Sequence, residues 1–231
     1  MARCSILLLF GFLLLLGCGK DSDYDNKQLG QILIDTHYNN QDFAVGDTLP
    51  FKGESIVIHK LQYYFSSIEV LDFESLIEFV DLELMTPGNP VIHGFDFSNR
   101  RPNQINITFG LSQSTNQETS PADYDINHPL GAIGNKGMYW TWATGYKFIL
   151  LEAEYLESGK EGFPISWHLG STKKTYSKLI PQRVTEDLTV EFDLYKILRE
   201  ESTWKNNPTL HTPSPLVDSL LQVCIDQGVS L

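Results

Sequence analysis

Cysteine is scarce. Three in 231 residues exclude a disulfide-dense scaffold, and 17 glycines with 11 prolines exclude a collagen-like or low-complexity chain. Basic residues are also few: 17 Lys and Arg face 29 Asp and Glu, for a net charge of −12. A phosphate backbone is repelled by such a surface, so nucleic acid is excluded as a partner. Beyond the N-terminus there is no long apolar run and no internal repeat. The chain also lacks a Gly-rich phosphate loop, a G-x-S-x-G elbow, and HExxH, HxxxH or HxH spacings. With no catalytic constellation visible, the expectation is a protein that is not an enzyme. Aromatics are plentiful at 12%, within a hydrophobic content of 42%. That suffices for one packed domain and rules out disorder.

The first residues, Met1-Ala2-Arg3, lead into an apolar run that ends at Leu15-Leu16-Gly17-Cys18. A short basic start followed by such a run reads as a secretory signal peptide over 1–17. A short membrane anchor is the alternative, but the run is brief for ~30 Å of hydrocarbon. Its end looks like a bacterial lipobox, and this implies cleavage before Cys18 and lipidation of that residue. Residues 18–29 are polar and acidic and read as a flexible tether. The Lys-Asp run after Cys18 resembles the surface-export signal of Bacteroidetes lipoproteins. The expected location is the outer membrane, through a lipid anchor, facing the periplasm or the cell surface. Lipidation of Cys18 would leave Cys224 without a disulfide partner, as a small buried hydrophobe.

Residues 30–231 read as a single domain. Strand signals cover Gln31–Tyr38, Ser55–Leu71, Leu76–Leu84, Gln104–Phe109, Lys147–Tyr155, Ile165–Leu169 and Thr189–Leu194. The second also fits a helical spacing through Leu61, Tyr64, Phe65 and Ile68, but its β-branched and aromatic content favours strand. A polar loop spans Ser112 to Asp125. The one clear helix is C-terminal: Ser214-Pro215 opens it, with Leu216, Leu220, Val223 and Cys224 as its apolar stripe. The fold class expected is an all-β, antiparallel, immunoglobulin-like β-sandwich with long loops and a short C-terminal helix.

Chemistry concentrates in Gly137–Phe148. If that segment is extended, Met138, Trp140 and Trp142 share a face, where a thioether and two indoles offer a soft or oxidisable environment. Packed aromatics are more often plain core. Among six histidines, His168 points away from Phe163, Ile165, Trp167 and Leu169, and His37 points away from Ile32, Ile34 and Thr36. Each alone is more often an ordinary hydrogen-bonded histidine, so any site has to be assembled by the fold.

Three blocks in order give the chain a recognisable likeness: Leu61-Gln-Tyr-Tyr-Phe-Ser-Ser-Ile68, Gly137-Met-Tyr-Trp-Thr-Trp-Ala-Thr-Gly-Tyr-Lys-Phe148, and His168-Leu169-Gly170. Together they resemble the MbnP family of methanobactin-associated copper proteins. The likeness implies a copper-binding lipoprotein. It also implies that a tryptophan is oxidised to kynurenine by a partner, a MauG-like dihaem cytochrome (MbnH-like). On this reading the metal ligands are His168, with His37 and His211 as positional candidates. Met138, Trp140 and Trp142 form the environment in which either tryptophan is modified. Ser67 and Ala143 stand where the family pattern has Asn. The rival reading is a cell-surface binding module on the same scaffold, without metal, that recognises glycan or another envelope protein.

Overall fold

The computed structural model describes residues 29–71, 76–96, 102–141, 143–184 and 187–231. Cys18, most of the tether and Trp142 lie outside them. The strands are β1 (Leu29–Tyr38), β2 (Gln41–Asp42), β3 (Thr48–Phe51), β4 (Glu54–Leu71), β5 (Leu76–Val80), β6 (Glu83–Met85), β7 (Val91–Asp96) and β8 (Gln104–Phe109). After helix α1 (Gln113–Glu118) come β9 (Tyr139–Thr141), β10 (Gly145–Tyr146), β11 (Ile149–Leu156), β12 (Phe163–Leu169), β13 (Tyr176–Pro181) and β14 (Leu188–Asp193). The chain closes with α2 (Leu194–Leu198), α3 (Glu201–Asn206), β15 (Thr209–Leu210), α4 (Pro215–Val223) and β16 (Val229–Ser230).

Two sheets carry the fold. The smaller has the order β16-β14-β1-β2, with β7 also on β1. The larger runs β13-β8-β4-β11-β12-β15, with β3, β5 and β6 pairing with the long β4. Glu54–Leu71 is thus strand along its whole length, because so many partners satisfy its backbone. Period-2 alternation sends Ile32, Ile34 and Thr36 of β1 inward against Tyr63 of β4, where the Thr36 and Tyr63 hydroxyls bond at 2.7 Å. Tyr63 lies 4.4 Å from Phe192 of the facing sheet and 5.7 Å from Phe109 beside it, measured between ring centroids. This sandwich core holds the sheets together.

The β-sandwich expectation holds, with details that alternation alone does not carry. Two pairs are parallel, β1 with β14 and β12 with β15. The single strand expected over Leu76–Leu84 is two strands broken at Asp81-Leu82. Its halves pair with different stretches of β4, Ile68–Leu71 and Tyr63–Phe65. The polar loop from Ser112 holds α1, capped by the Ser112 hydroxyl, which accepts from the Thr115 amide at 3.1 Å. Helix α4 starts where Ser214-Pro215 placed it, with the Ser214 hydroxyl accepting from the Val217 amide at 3.2 Å. Its buried stripe is Val217, Leu220, Leu221 and Cys224, so Leu216 stands at the surface and Val217 takes its place. Cys224 is fully buried, and its environment raises the thiol pKa well above the usual range.

The excursion between β8 and β11 covers part of the outer face of the larger sheet. Outward-facing Gln62, Tyr64 and Leu150 would otherwise meet solvent, yet Gln62 and Leu150 are buried. The Tyr64 hydroxyl donates to the Pro129 carbonyl at 2.8 Å, and that of Tyr146 to Leu130 at 2.9 Å. Leu130 and Met138 complete a small second core there.

Candidate metal centre

His168 and His211 meet on the outer face of the larger sheet, at its β12–β15 edge. The parallel register pairs Ser166 with Thr209 and Trp167 with Leu210. Continued by one residue, it sets His211 beside His168. The two rings stack with centroids 4.1 Å apart and planes 16° from parallel. Alternation along β12 puts Trp167 inward, where its indole donates to the Asn207 carbonyl at 2.8 Å. That same alternation turns Ser166 and His168 outward.

Each imidazole is tied by Nε2. His168 Nε2 lies 3.3 Å from Oε1 of Glu152 on β11, and His211 Nε2 lies 2.7 Å from the Ser166 hydroxyl. Burial first, and then the positive charge of Lys147 and the neighbouring His211, hold the His168 pKa below the ordinary imidazole value; Glu152 pulls the other way. Neutral imidazole, the form that binds metals, is therefore favoured. Lys147 is 8% exposed, and its ammonium donates to the Gly137 carbonyl at 2.6 Å. Its own pKa is lowered, chiefly by burial. This bond, together with the Lys147 amide donating to Met138 at 2.7 Å, straps the Met-Tyr-Trp segment onto the sheet.

Trp140 reaches the same face through Gly170, two residues beyond His168. A Cβ at Gly170 would stand 3.2 Å from Cζ3 of Trp140 and 2.5 Å from the Tyr146 carbonyl oxygen. The glycine of the His-Leu-Gly block is what lets that indole approach the strand end. Met138, expected beside Trp140, is fully buried and belongs to the small core under the excursion. Trp142 lies outside the described residues.

His37 is not brought to this centre. It stands on the outer face of the other sheet, with the sandwich core in between. Its Nε2 lies 3.1 Å from Asp42 and 3.5 Å from Asp35, and its Nδ1 lies 3.6 Å from Glu191 with no hydrogen-bond partner. Asp35 and Glu191 are directly opposite each other across the parallel β1–β14 pair. This second constellation is dominated by carboxylates, a harder donor set than two imidazoles.

The structure brings the expected His168 and His211 together and sets Trp140 beside Gly170 near them. The sequence alone singles out neither Glu152 nor Lys147, which join them here. The alternation of Leu150, Glu152 and Glu154 along β11 was legible as an outward row; that the row faces His168 required the β11–β12 register.

Comparison with curated proteins finds no match. Among solved structures the chain is similar to MbnP from Methylosinus trichosporium, with a TM-score of 0.53 and 15% identity over 75% of this chain and 78% of that one. At that identity the likeness is one of fold. The MbnP family profile matches residues 27–212, which include all three sequence blocks and both stacked histidines. The chain belongs to the MbnP family.

Proposed function

We propose that this protein is a lipid-anchored, extracytoplasmic copper-binding protein whose ion is held by His168 and His211. The stacked pair of outward-facing imidazoles carries the reading. The donor set fits: imidazole suits copper, and both rings have one nitrogen tied while the other is left for a metal. Nearly parallel rings direct their lone pairs side by side, so a shared ion requires one ring to turn. His211, just past the end of β15, is the freer of the two. His37 is excluded from the same ion by its position on the opposite face. Bound copper would supply soft Lewis-acid or one-electron chemistry.

Among the described residues of the block, Trp140 is the tryptophan set against this face. Its conversion to kynurenine by a MauG-like dihaem cytochrome would replace an indole N–H donor with an aryl amine and a ketone beside the histidines. On this reading the oxidation belongs to the partner, and the chain is a substrate and a binder rather than an enzyme.

Protein lacking residues 1–17, produced with such a cytochrome, is expected to carry kynurenine at Trp140 and to bind a single copper ion. His168→Ala should weaken Cu(I) by more than the ~10–100-fold typical of losing an outer hydrogen-bond partner. The checks are peptide mass mapping and competition with a Cu(I) chelator. Unchanged affinity in His168→Ala removes this site; no kynurenine and no copper bound after treatment with an active cytochrome would instead favour the metal-free surface binding module.

Anchoring is tested separately. The Leu-Leu-Gly-Cys run leads us to expect the full chain in the membrane fraction, and Cys18→Ala in the soluble one. Persistence of Cys18→Ala in the membrane pellet refutes a lipid anchor.

A further inference from the structure

The two nitrogens of His168 have unlike surroundings. Nε2 faces Oε1 of Glu152 at 3.3 Å, whereas no group among the described residues bonds Nδ1. An ionised carboxylate only accepts hydrogen bonds. The ring's proton therefore belongs on Nε2, and the in-plane lone pair is left on Nδ1. Glu152 is well placed to hold that proton there. It sits on the strand next to β12, opposite Ser166 and diagonal to His168, on the same outward face. Strand pairing on both sides of β11 fixes its backbone.

We infer that Glu152 is a positioning residue for this site, holding His168 as its Nε2–H tautomer and thereby making Nδ1 the ligating atom. The inference rests on the copper reading above. Its carboxylate has a second effect. Burial, Lys147 and His211 all disfavour positive charge on the ring, and Glu152 is the group that opposes them. A carboxylate hydrogen-bonded to the far nitrogen makes the near one a stronger donor. Ser166 acts in the same way on His211, with a difference. Its hydroxyl lies 2.7 Å from Nε2 and can either donate or accept. If Nδ1 of His211 is to bind a metal, the hydroxyl must accept. His168 thus comes with its tautomer already set, while that of His211 adapts.

The test has two arms, both on soluble protein lacking residues 1–17. The first is metal-free and needs no copper: 15N–1H long-range NMR of the histidines at mildly alkaline pH. His168 should show protonated Nε2 in the unaltered protein, a mixture of tautomers in Glu152→Ala, and recovery in Glu152→Gln, which keeps an acceptor oxygen. Protonated Nδ1 in the unaltered protein, or the same tautomer in all three, overturns the inference. The second arm is Cu(I) competition on the cytochrome-treated protein. Glu152→Ala should bind ~10–100-fold more weakly, with Glu152→Gln in between. If His168→Ala loses copper while Glu152→Ala does not, the positioning role is wrong and the site stands. If His168→Ala and His211→Ala both keep full affinity, the assignment of copper to this pair fails, and the NMR arm still judges the tautomer. Glu152 is half-exposed on a strand surface, and Gln preserves its shape, so the Gln variant keeps the test valid should Ala perturb the fold.

Discussion

Replacing Trp204 with Ala should cost about 4 kcal/mol of stability, within the ~3–5 kcal/mol range for deleting a buried large aromatic. Trp204 is fully buried on the short helix α3. It packs between Phe51 at 5.9 Å, Tyr155 at 5.0 Å and Phe163 at 5.9 Å, centroid to centroid. Its indole N–H also donates to the Leu198 carbonyl at 2.9 Å, so truncation strands a buried acceptor as well as opening a cavity. Domains of this size have only ~5–15 kcal/mol in hand, so the urea midpoint should fall sharply. Trp204→Phe, which fills much of the cavity, should recover most of the loss. A loss below ~1 kcal/mol for Trp204→Ala would mean the surrounding rings collapse into the space and the packing is not rigid.

Gly110→Ala is the second large effect, and its cause is different. Gly110 has φ of +77°, in the left-handed region, and its amide donates to the Tyr64 carbonyl at 2.7 Å, locking that turn to β4. An added Cβ would stand 2.3 Å from Cδ2, 2.5 Å from Cγ and 2.8 Å from Cβ of Phe148. Turning the Phe148 ring relieves the first contact but not the last, so backbone must move. Overpacking costs ~1–3 kcal/mol, and the left-handed conformation adds ~1–2 kcal/mol. Together we expect about 3 kcal/mol by urea unfolding and, on the proposed copper reading, a weaker Cu(I) affinity, because Phe148 and Lys147 are adjacent in the strap beside the site. A variant of unchanged stability would show that the β8–β11 excursion is held elsewhere.

How far the site could be read from the sequence depends on which geometric relation each residue needs. Alternation along one strand is a local property, so the outward turn of His168 and His37 and the inward turn of Trp167 were legible without a fold. The partner of a strand is not local. Nothing in Leu76–Leu84 reveals the break at Asp81, because the apolar rhythm continues through it while the two halves pair with separate stretches of β4. The same holds for Glu152, whose row was visible and whose facing strand was not. His211 depended on a parallel pair two residues long, which leaves no periodic trace at all. The separation of His37 from His168 is a matter of which sheet each strand joins, and alternation is blind to it. In α4 the cap was clear from Ser214-Pro215; the stripe shifted because a core of several elements, rather than the helix alone, decided which side turned inward.

The shortness of β15 bears on kinetics. One stacked ring sits on a longer strand paired on both sides. The other follows a two-residue edge strand, tethered mainly by the Ser166 amide to the Pro208 carbonyl at 2.7 Å and by the Trp167 indole to Asn207. Segments with so few bonds open locally at far lower cost than the whole domain unfolds. The backbone amides between Asn207 and Thr212 should exchange with solvent hydrogen much faster than those of Ile165, Trp167 and Leu169, only one strand away. Whatever the two imidazoles hold would then leave by loss of one arm at a time, at a rate set by the fraying of an edge and largely independent of the stability of the sandwich.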